Sequence, residues 1–424
     1  MKRLLVLGGG TASYDIVKNA REMGIYVIVV DKEVIPGISR RLADEEYQIN
    51  TTDTMGLLKL IKEKNIDGVF CGPSELRIVD AMNISEKAGL RFYCTREQWD
   101  ICSDKAAFKS LCRKFNVPCV PEYYINPELK EEDLLAVKYP VIVKPVDGCS
   151  SAGLTVCWNE EELKIAIPLA VEASRSGRVI IEKYITSDYG FGCRYIANDG
   201  EIYLSAVNDR YTVDAADGKA LISSVALFPS KKIDHYIENI NNNVIEMFKS
   251  LGIQNGTMFM QALYDYEDDE IYFHEMGFRL SGGLIYPMLE AACGYSDLKM
   301  MIRYAVEGKM ATTEELSKID PYMHGCCIGS ICIPLRPGTI KKIFGLEEIL
   351  NAREVLDCTQ YYHVGDSIAE SQIGTLGQHF CRFKLMTSSP EEFKQRINWI
   401  QYNLKITDIK GNDMIYRRFD IERM

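Results

Sequence analysis

Three features that work together on phosphate esters fall within residues 271–283, IYFHEMGFRLSGG: a carboxylate, an arginine and a glycine pair. Glu275 is a hard oxygen donor, suited to a divalent cation that also touches phosphate oxygens. Arg279 carries a planar fork that matches phosphate or carboxylate. Gly282-Gly283 lets backbone N–H groups come close to an anion. Upstream, Thr257–Tyr264 reads as a strand bearing Gln261. The polar turn YDYEDDE separates it from Ile271, Tyr272 and Phe273, which are strong strand formers. Paired as a hairpin, the two runs put Gln261 and Glu275 on neighbouring strands, an amide oxygen beside a carboxylate. Taken alone, the stretch also reads as a surface hairpin with a solvated Glu and Arg.

Two lysines stand where a cation is unusual. Lys144 ends the apolar strand VIVKP. Lys105 falls in the first turn of a helix expected over Lys105–Phe115, where a cation opposes the helix dipole. Ser103 or Asp104 caps that helix. Both placements make sense if the ammonium groups reach phosphate, although a solvated Lys105 remains an alternative. DGCSSAG, residues 147–153, lies between two expected strands, and Ser150, Ser151 and Gly153 make it a candidate phosphate flap. It is not a Walker loop, because no GK[ST] follows and a strand replaces the helix. A tight hairpin is the alternative, and Cys149 is a candidate accessible thiol. The strand Val179–Ile181 runs into Glu182, Lys183, Tyr184 and Ile185, whose backbone can read an adenine edge.

Around these residues the chain alternates strands and helices. LLVL, the turn Gly8-Gly9-Gly10, a helix over Tyr14–Met23 and a strand over Tyr26–Val30 ending at Asp31 form a doubly wound βαβ unit. Ser13 at the third glycine position leaves the dinucleotide fingerprint incomplete, so the turn reads as one that binds no dinucleotide, or binds another substrate. A nicotinamide-dependent oxidoreductase stays the alternative of another class, and an ATP-binding module without catalysis is a third. Helices over Met55–Lys64 and Leu76–Ala88, and strands at Gly68–Cys71 and near Arg91–Cys94, complete this first unit. Further on, a hairpin turns at Asn198-Asp199-Gly200, residues 211–222 read as a loop, and His235–Leu251 reads as one amphipathic helix. A helical region runs from Pro287 to about Val306, before an α+β composition takes over.

The length of 424 residues allows roughly two to four domains, and 47% hydrophobic content supports sizeable cores. A net charge of −11 argues against a general nucleic-acid or anionic-membrane binder. The 14 cysteines form no CxxC pair and the five histidines no ligand spacing, so buried free thiols in a reducing cytoplasm are expected. The first apolar run is too short and glycine-rich for a signal peptide or a spanning helix.

In order along the chain, SDKAAFK, VIVKPVDGCSSAG, VIIEKYI and TMFMQAL…YFHEMGFR resemble the ATP-grasp superfamily, in its carbamoyl-phosphate synthetase and biotin carboxylase branch. The RLSGG run and the strand-rich C-terminal part are more similar to the superfamily's amino-acid ligases. The resemblance covers nearly the whole chain. It implies a mixed α/β and α+β fold: a Rossmann-like pre-ATP-grasp domain over 1–103, a two-part ATP-grasp domain over 104–310 and a C-terminal α+β lobe over 311–424.

It also implies roles. Lys105 and Lys144 contact ATP phosphates, with Lys144 and Arg279 serving catalysis, and Ser150, Ser151 and Gly153 close over them. Glu182 and the backbone of Lys183, Tyr184 and Ile185 hold adenine and ribose, with Leu263 packed on the base. Gln261 and Glu275 hold Mg²⁺ (or Mn²⁺), and Arg279 holds an acyl phosphate or a substrate carboxylate. The implied activity joins a small carboxylate, such as an amino acid, to an amine through an acyl phosphate. Bicarbonate phosphorylation or a purine-pathway reaction is the alternative. The partners are small molecules, with no nucleic acid or membrane and with room for a homodimer. Two departures stand out. Gly277 replaces the asparagine that the family often carries after its metal glutamate, and Gly190 or Phe191 stands where an acidic ribose ligand is usual. Glu75, Asp209 and Arg210 are candidates for the substrate pocket.

Overall fold

Short apolar runs without alternation need burial on both faces, and Arg3–Leu7 and Tyr26–Asp31 accordingly become the centre of a parallel sheet. In the computed structural model, which describes residues 1–34, 37–124, 131–147, 154–187, 189–214 and 221–424, this sheet has four strands. Their spatial order is Glu45–Gln48, Tyr26–Asp31, Arg3–Leu7, Gly68–Phe70. The helices Thr11–Glu22, Ile38–Leu42 and Thr54–Lys64 connect them, and Glu75–Lys87 follows the last strand. No strand forms near Arg91–Cys94. Tyr93 gains its burial instead by packing edge-on against Phe278, with 5.3 Å between ring centroids.

The glycine turn is covered by the chain itself. Gly8 has φ +98°, and a Cβ there would lie 2.5 Å from the Arg77 guanidinium. At Gly9 a Cβ would lie 2.8 Å from Cδ of the buried Arg40. The Asp31 carboxylate, where a dinucleotide fold would hold ribose, accepts the Gly9 N–H at 2.6 Å.

A helix that sequence reading missed, Arg96–Ser103, leads to Asp104. Asp104 then caps Lys105–Lys114 by accepting the Ala107 N–H at 2.9 Å. Next comes a small antiparallel sheet in the order Glu122–Tyr123, Val179–Lys183, Val141–Pro145, Thr155–Cys157. The helix Glu160–Ala173 packs on it, and Val141, Val143, Cys157, Leu163, Ala166 and Ile181 form a core separate from that of the rest of the chain.

The largest sheet has eight antiparallel strands: Glu270–Gly277, Gly256–Asp265, Tyr189–Asn198, Glu201–Asp214, Leu221–Phe228, Cys327–Pro334, His379–Thr387 and Val355–Gln360. It runs without interruption across residue 310, because Val225 pairs with Ile331. Within the loop expected over 211–222, the described residues 211–214 and 221–222 are paired strand instead, with Tyr211 opposite Val225 and Asp214 opposite Leu221; residues 215–220 lie outside the described set. Tyr211, Val213 and Ile222 are buried on these strands, an alternation that the polar DAADGK segment obscured in the sequence. The single helix expected over His235–Leu251 breaks at Ile240 (φ −124°) into Ile233–Asn239 and Asn241–Ser250. A three-stranded sheet of Ser367–Ile368, Gly338–Phe344 and Lys405–Asp408 and the helix Pro390–Asn403 complete the chain. Among the described residues no helix is long and apolar enough to cross a membrane.

Gly329 tests the continuity of the large sheet. A Cβ there would meet the Ala226 carbonyl oxygen and lie 2.5 Å from the Phe393 ring. Gly329→Val is expected to lower stability by about 1–3 kcal/mol, as overpacking does in well-packed cores. An unchanged thermal or urea midpoint would contradict this packing.

Candidate active site

The hairpin Gly256–Asp265/Glu270–Gly277 sets the site, because its register places Gln261 directly opposite Glu275. Opposed residues share a face of the sheet, so the amide and the carboxylate stand side by side. Gln261 also faces Gly192, and Gly192 faces Asn208. A Cβ at 192 would lie 2.7 Å from Asn208 Oδ1, so the glycine leaves the face open.

Arg210 enters this face. Its Nη1 donates to Gln261 Oε1 at 2.6 Å, and its Nε is buried without a partner. Burial pulls the pKa of the Arg210 guanidinium down, with the Glu275 charge opposing that shift. Gly190, opposite Arg210, makes room for it: a Cβ there would lie 3.0 Å from Arg210 Nε. That accounts for the missing acidic residue. Asp209 points the other way. It is buried and accepts from Tyr189 OH at 2.7 Å and Ser230 Oγ at 2.5 Å, so it braces the fold rather than lining a pocket.

The second departure also has a steric cause. A Cβ on Gly277 would run into the Phe259 ring. That ring carries the Arg279 guanidinium 4.7 Å from its centroid. Arg279 Nε lies 3.1 Å from Glu75 Oε1, and its Nη1 donates to the Leu280 carbonyl at 2.8 Å. Two sequence candidates are thus joined to each other, across the helix Glu75–Lys87.

Lys144 and Glu182 meet at the small sheet. Glu182 is buried, with Lys144 Nζ on Oε2 and Lys109 Nζ 2.5 Å from Oε1. Expected beside adenine and ribose, the Glu182 carboxylate instead faces two ammonium groups. Sequence reading missed Lys109, whose signal is its place one helical turn after Lys105. The Lys105 N–H donates to the Val146 carbonyl at 3.2 Å, tying the helix start to the end of the Lys144 strand. His274 reports the convergence. Burial, then Lys144, Arg210, Lys105 and Lys109, hold its imidazole well below the usual range, and its Nδ1 lies 3.0 Å from the Gln261 carbonyl oxygen.

The remaining nucleotide candidates are more scattered. Lys183 Nζ is held by Asp265 at 2.7 Å and Asp268 at 3.0 Å, which ties the small sheet to the hairpin turn. The N–H groups of Lys183 and Tyr184 donate to the carbonyls of Pro121 (2.9 Å) and Pro140 (3.0 Å). Tyr184 is half-buried beside Trp158, Ile185 is buried, and the half-buried Leu263 lies opposite Gly190. Ser150, Ser151, Gly153 and Cys149 lie outside the described residues.

Three further cations were not foreseen. Arg210, Ala226, Ser330, Lys384 and Asp357 follow one another across five strands, so Arg210 and Lys384 share the face. Lys384 is fully buried on Asp357 at 2.6 Å. Arg382, two residues away, donates to the Gly282 carbonyl at 2.7 Å. Arg194 donates to Asn208 Oδ1 at 2.6 Å and to Ser281 Oγ at 3.1 Å, and burial lowers its pKa to about 10. The RxK spacing inside the apolar strand FCRFKLM was the available signal. Among the described residues no cluster of three or more His, Cys, Asp or Glu gathers for a metal. The oxygen donors Glu275 and Gln261 suit a hard cation that takes its other ligands from phosphate. His274 should stay neutral: its imidazole is expected to titrate well below the ordinary midpoint near 6.5. An NMR titration with a midpoint near 6.5 would contradict the convergence of cations on it.

Comparison with known proteins gives this geometry a family. The description "Carbamoyl-phosphate synthase L chain, ATP binding domain" matches residues 104–313. A formate-dependent phosphoribosylglycinamide formyltransferase of Sulfurisphaera tokodaii is 29% identical over 194 residues, 44% of this chain and 48% of that protein. The chain thus aligns with about half the length of that relative. The 2-oxoglutarate carboxylase small subunit of Hydrogenobacter thermophilus is 25% identical over 361 residues, 78% of this chain and 72% of its own. A solved biotin carboxylase domain dimer of 2-oxoglutarate carboxylase from that organism, in complex with MgADP and bicarbonate, superposes with a TM-score of 0.77 at 19% identity, covering 96% of this chain and 90% of that one. An L-amino acid ligase from Bacillus licheniformis superposes with a TM-score of 0.78 at 19% identity, covering 96% of this chain and 99% of the ligase. The chain belongs to the ATP-grasp superfamily.

Proposed function

We propose that the protein is an ATP- and Mg²⁺-dependent carboxylate–amine ligase that activates a small carboxylate, such as an amino acid, as an acyl phosphate. The observation that carries this reading is the cationic sheet face: Arg210 binds Gln261 of the opposed Gln261–Glu275 pair, Arg194 and Arg382 reach the Ser281–Gly283 loop, and Lys384 stands two residues beyond Arg382 on its strand. Fixed cations around a hard-oxygen pair suit a reaction in which negative charge moves between phosphate and carboxylate oxygens.

In this reading a carboxylate oxygen of the acid attacks the γ-phosphorus, the bond from that phosphorus to its bridging oxygen breaks, and ADP leaves. The amine then attacks the acyl carbon, the carbon–oxygen bond to phosphate breaks, and the nitrogen loses a proton. Lys105 and Lys144 hold the phosphates. Arg210 and Arg279 turn from Gln261 and Glu75 toward the transferred group, with Arg279 steadied by Phe259. Glu275 and Gln261 would hold Mg²⁺, which would supply positive charge to the phosphate oxygens. We place the enzyme in the cytoplasm, as a homodimer; the free thiols of the 13 described cysteines fit a reducing compartment.

A second reading, in which formate or bicarbonate is the acid, draws on the formyltransferase and carboxylase relatives. We set aside a nicotinamide cofactor, because Arg40, Arg77 and Asp31 already occupy the glycine turn.

Phosphate release from ATP·Mg²⁺ should require an amino acid together with an amine. Release with bicarbonate or formate as the only acid would favour the second reading. Glu275→Gln should cut release by about 10²–10³-fold while leaving the melting temperature within a few degrees, in the range of a lost electrostatic stabiliser. An unchanged rate would remove Glu275 from the mechanism.

A further inference from the structure

We infer that Lys109 is a positioning residue: it remains on Glu182 so that Lys144 is free to leave Glu182 for a nucleotide phosphate. The inference rests on the reading of Lys144 as a phosphate contact. The two lysines occupy different oxygens of one carboxylate, Lys109 on Oε1 and Lys144 on Oε2. They differ in access: the Lys109 side chain is 0% exposed and that of Lys144 12% exposed. Lys144 sits near the end of its strand, whereas Lys109 is enclosed between the helix Lys105–Lys114 and the small sheet.

Charge balance gives the pairing its purpose. A buried carboxylate that loses its counter-ion is strongly destabilised. With Lys144 as its only partner, Glu182 would hold that lysine against the pull of phosphate. Lys109 removes the conflict by remaining in place. The other charged or titratable groups facing this cluster are few. Glu122, on the neighbouring strand and directly opposite Glu182, lies 3.2 Å from Lys109 Nζ and 3.5 Å from Arg113. Besides the His274 imidazole, the Cys112 and Cys119 thiols lie within electrostatic reach, and burial keeps both thiols neutral. None of these can replace Lys109 as a cation. In Lys109→Met, departure of Lys144 would leave Glu182 to take up a proton from solvent.

The test is calorimetric titration of the full chain with Mg²⁺ and a non-hydrolysable ATP analogue, in two buffers of different ionisation enthalpy. Lys109→Met should bind the analogue at least about tenfold more weakly, ~1.4 kcal/mol. It should also take up about one more proton per analogue bound than the wild type, so that its affinity falls as pH rises. Lys109→Met/Glu182→Gln should lose the extra proton uptake and bind within about threefold of Glu182→Gln alone, as a coupled pair requires. A folded Lys109→Met with wild-type affinity and no extra proton would overturn the inference. If that single variant does not fold, the double variant decides: a drop of about tenfold or more below Glu182→Gln would show a structural role for Lys109 that is independent of Glu182. Lys144→Met separates the two readings. Unchanged analogue affinity there would remove Lys144 from the phosphate site, whereas a loss there with none in Lys109→Met would sink this inference alone.

Discussion

Positive charge held away from water must be balanced, and that constraint organises this molecule. Lysines and arginines converge on one region, and most are tied to a private acceptor. Lys109 and Lys144 share Glu182, Arg210 takes the Gln261 amide, and Arg279 takes Glu75. Arg194 takes Asn208, Arg382 the Gly282 carbonyl, and Lys384 takes Asp357. Several of these acceptors are neutral amides or carbonyls. They satisfy the hydrogen-bonding capacity of a guanidinium without cancelling its charge, so the region keeps a net positive character suited to a polyanion. Three acceptors, Glu75, Asp357 and Glu182, are full carboxylates, and of these Glu182 is shared by two lysines.

The acceptors come from distant parts of the chain, and the folded sheets bring them together. Glu75 belongs to the first unit, Glu182 to the small sheet, and Asp357 to the edge strand of the eight-stranded sheet. The parallel sheet presents the start of the helix Glu75–Lys87 to Arg279. The hairpin places Glu275 opposite Gln261. Continuity of the large sheet through the pairing of Leu221–Phe228 with Cys327–Pro334 extends the cationic row to Lys384. Shape is adjusted by glycine at the close approaches: Gly190 beside Arg210, Gly192 beside Asn208 and Gly277 beside the Phe259 ring.

What the sequence disclosed followed from local signals. Strand formers on both sides of a polar turn made the Gln261–Glu275 hairpin legible, and a lysine ending an apolar strand marked Lys144. The rest depended on partners far away in the chain. Lys109 reads as an ordinary helix residue until Glu182 lies beside it, and Arg382 and Lys384 read as interruptions of an apolar strand until Gly282 and Asp357 are in place. The strand Val355–Gln360 is half-buried throughout and carried little pattern. Residues 211–222 were misread because polar composition near 215–220 outweighed the alternation of Tyr211, Val213 and Ile222. Gly277 and Gly190 were visible as departures, but their steric reasons, Phe259 and Arg210, lie on neighbouring strands.

The central claim is that this cationic face transfers a phosphoryl group to a carboxylate oxygen. The most direct measurement offers the active acid labelled with ¹⁸O in its carboxylate, together with ATP, Mg²⁺ and the amine, and follows the label in the released phosphate by mass spectrometry or ³¹P NMR. The account predicts that one labelled oxygen moves from each acid to each phosphate, because the bond broken in the second step joins the acyl carbon to the oxygen that the acid contributed. Phosphate carrying no label, with all of it retained in the acid or product, would mean that water and not the carboxylate takes the phosphoryl group, and would contradict the account.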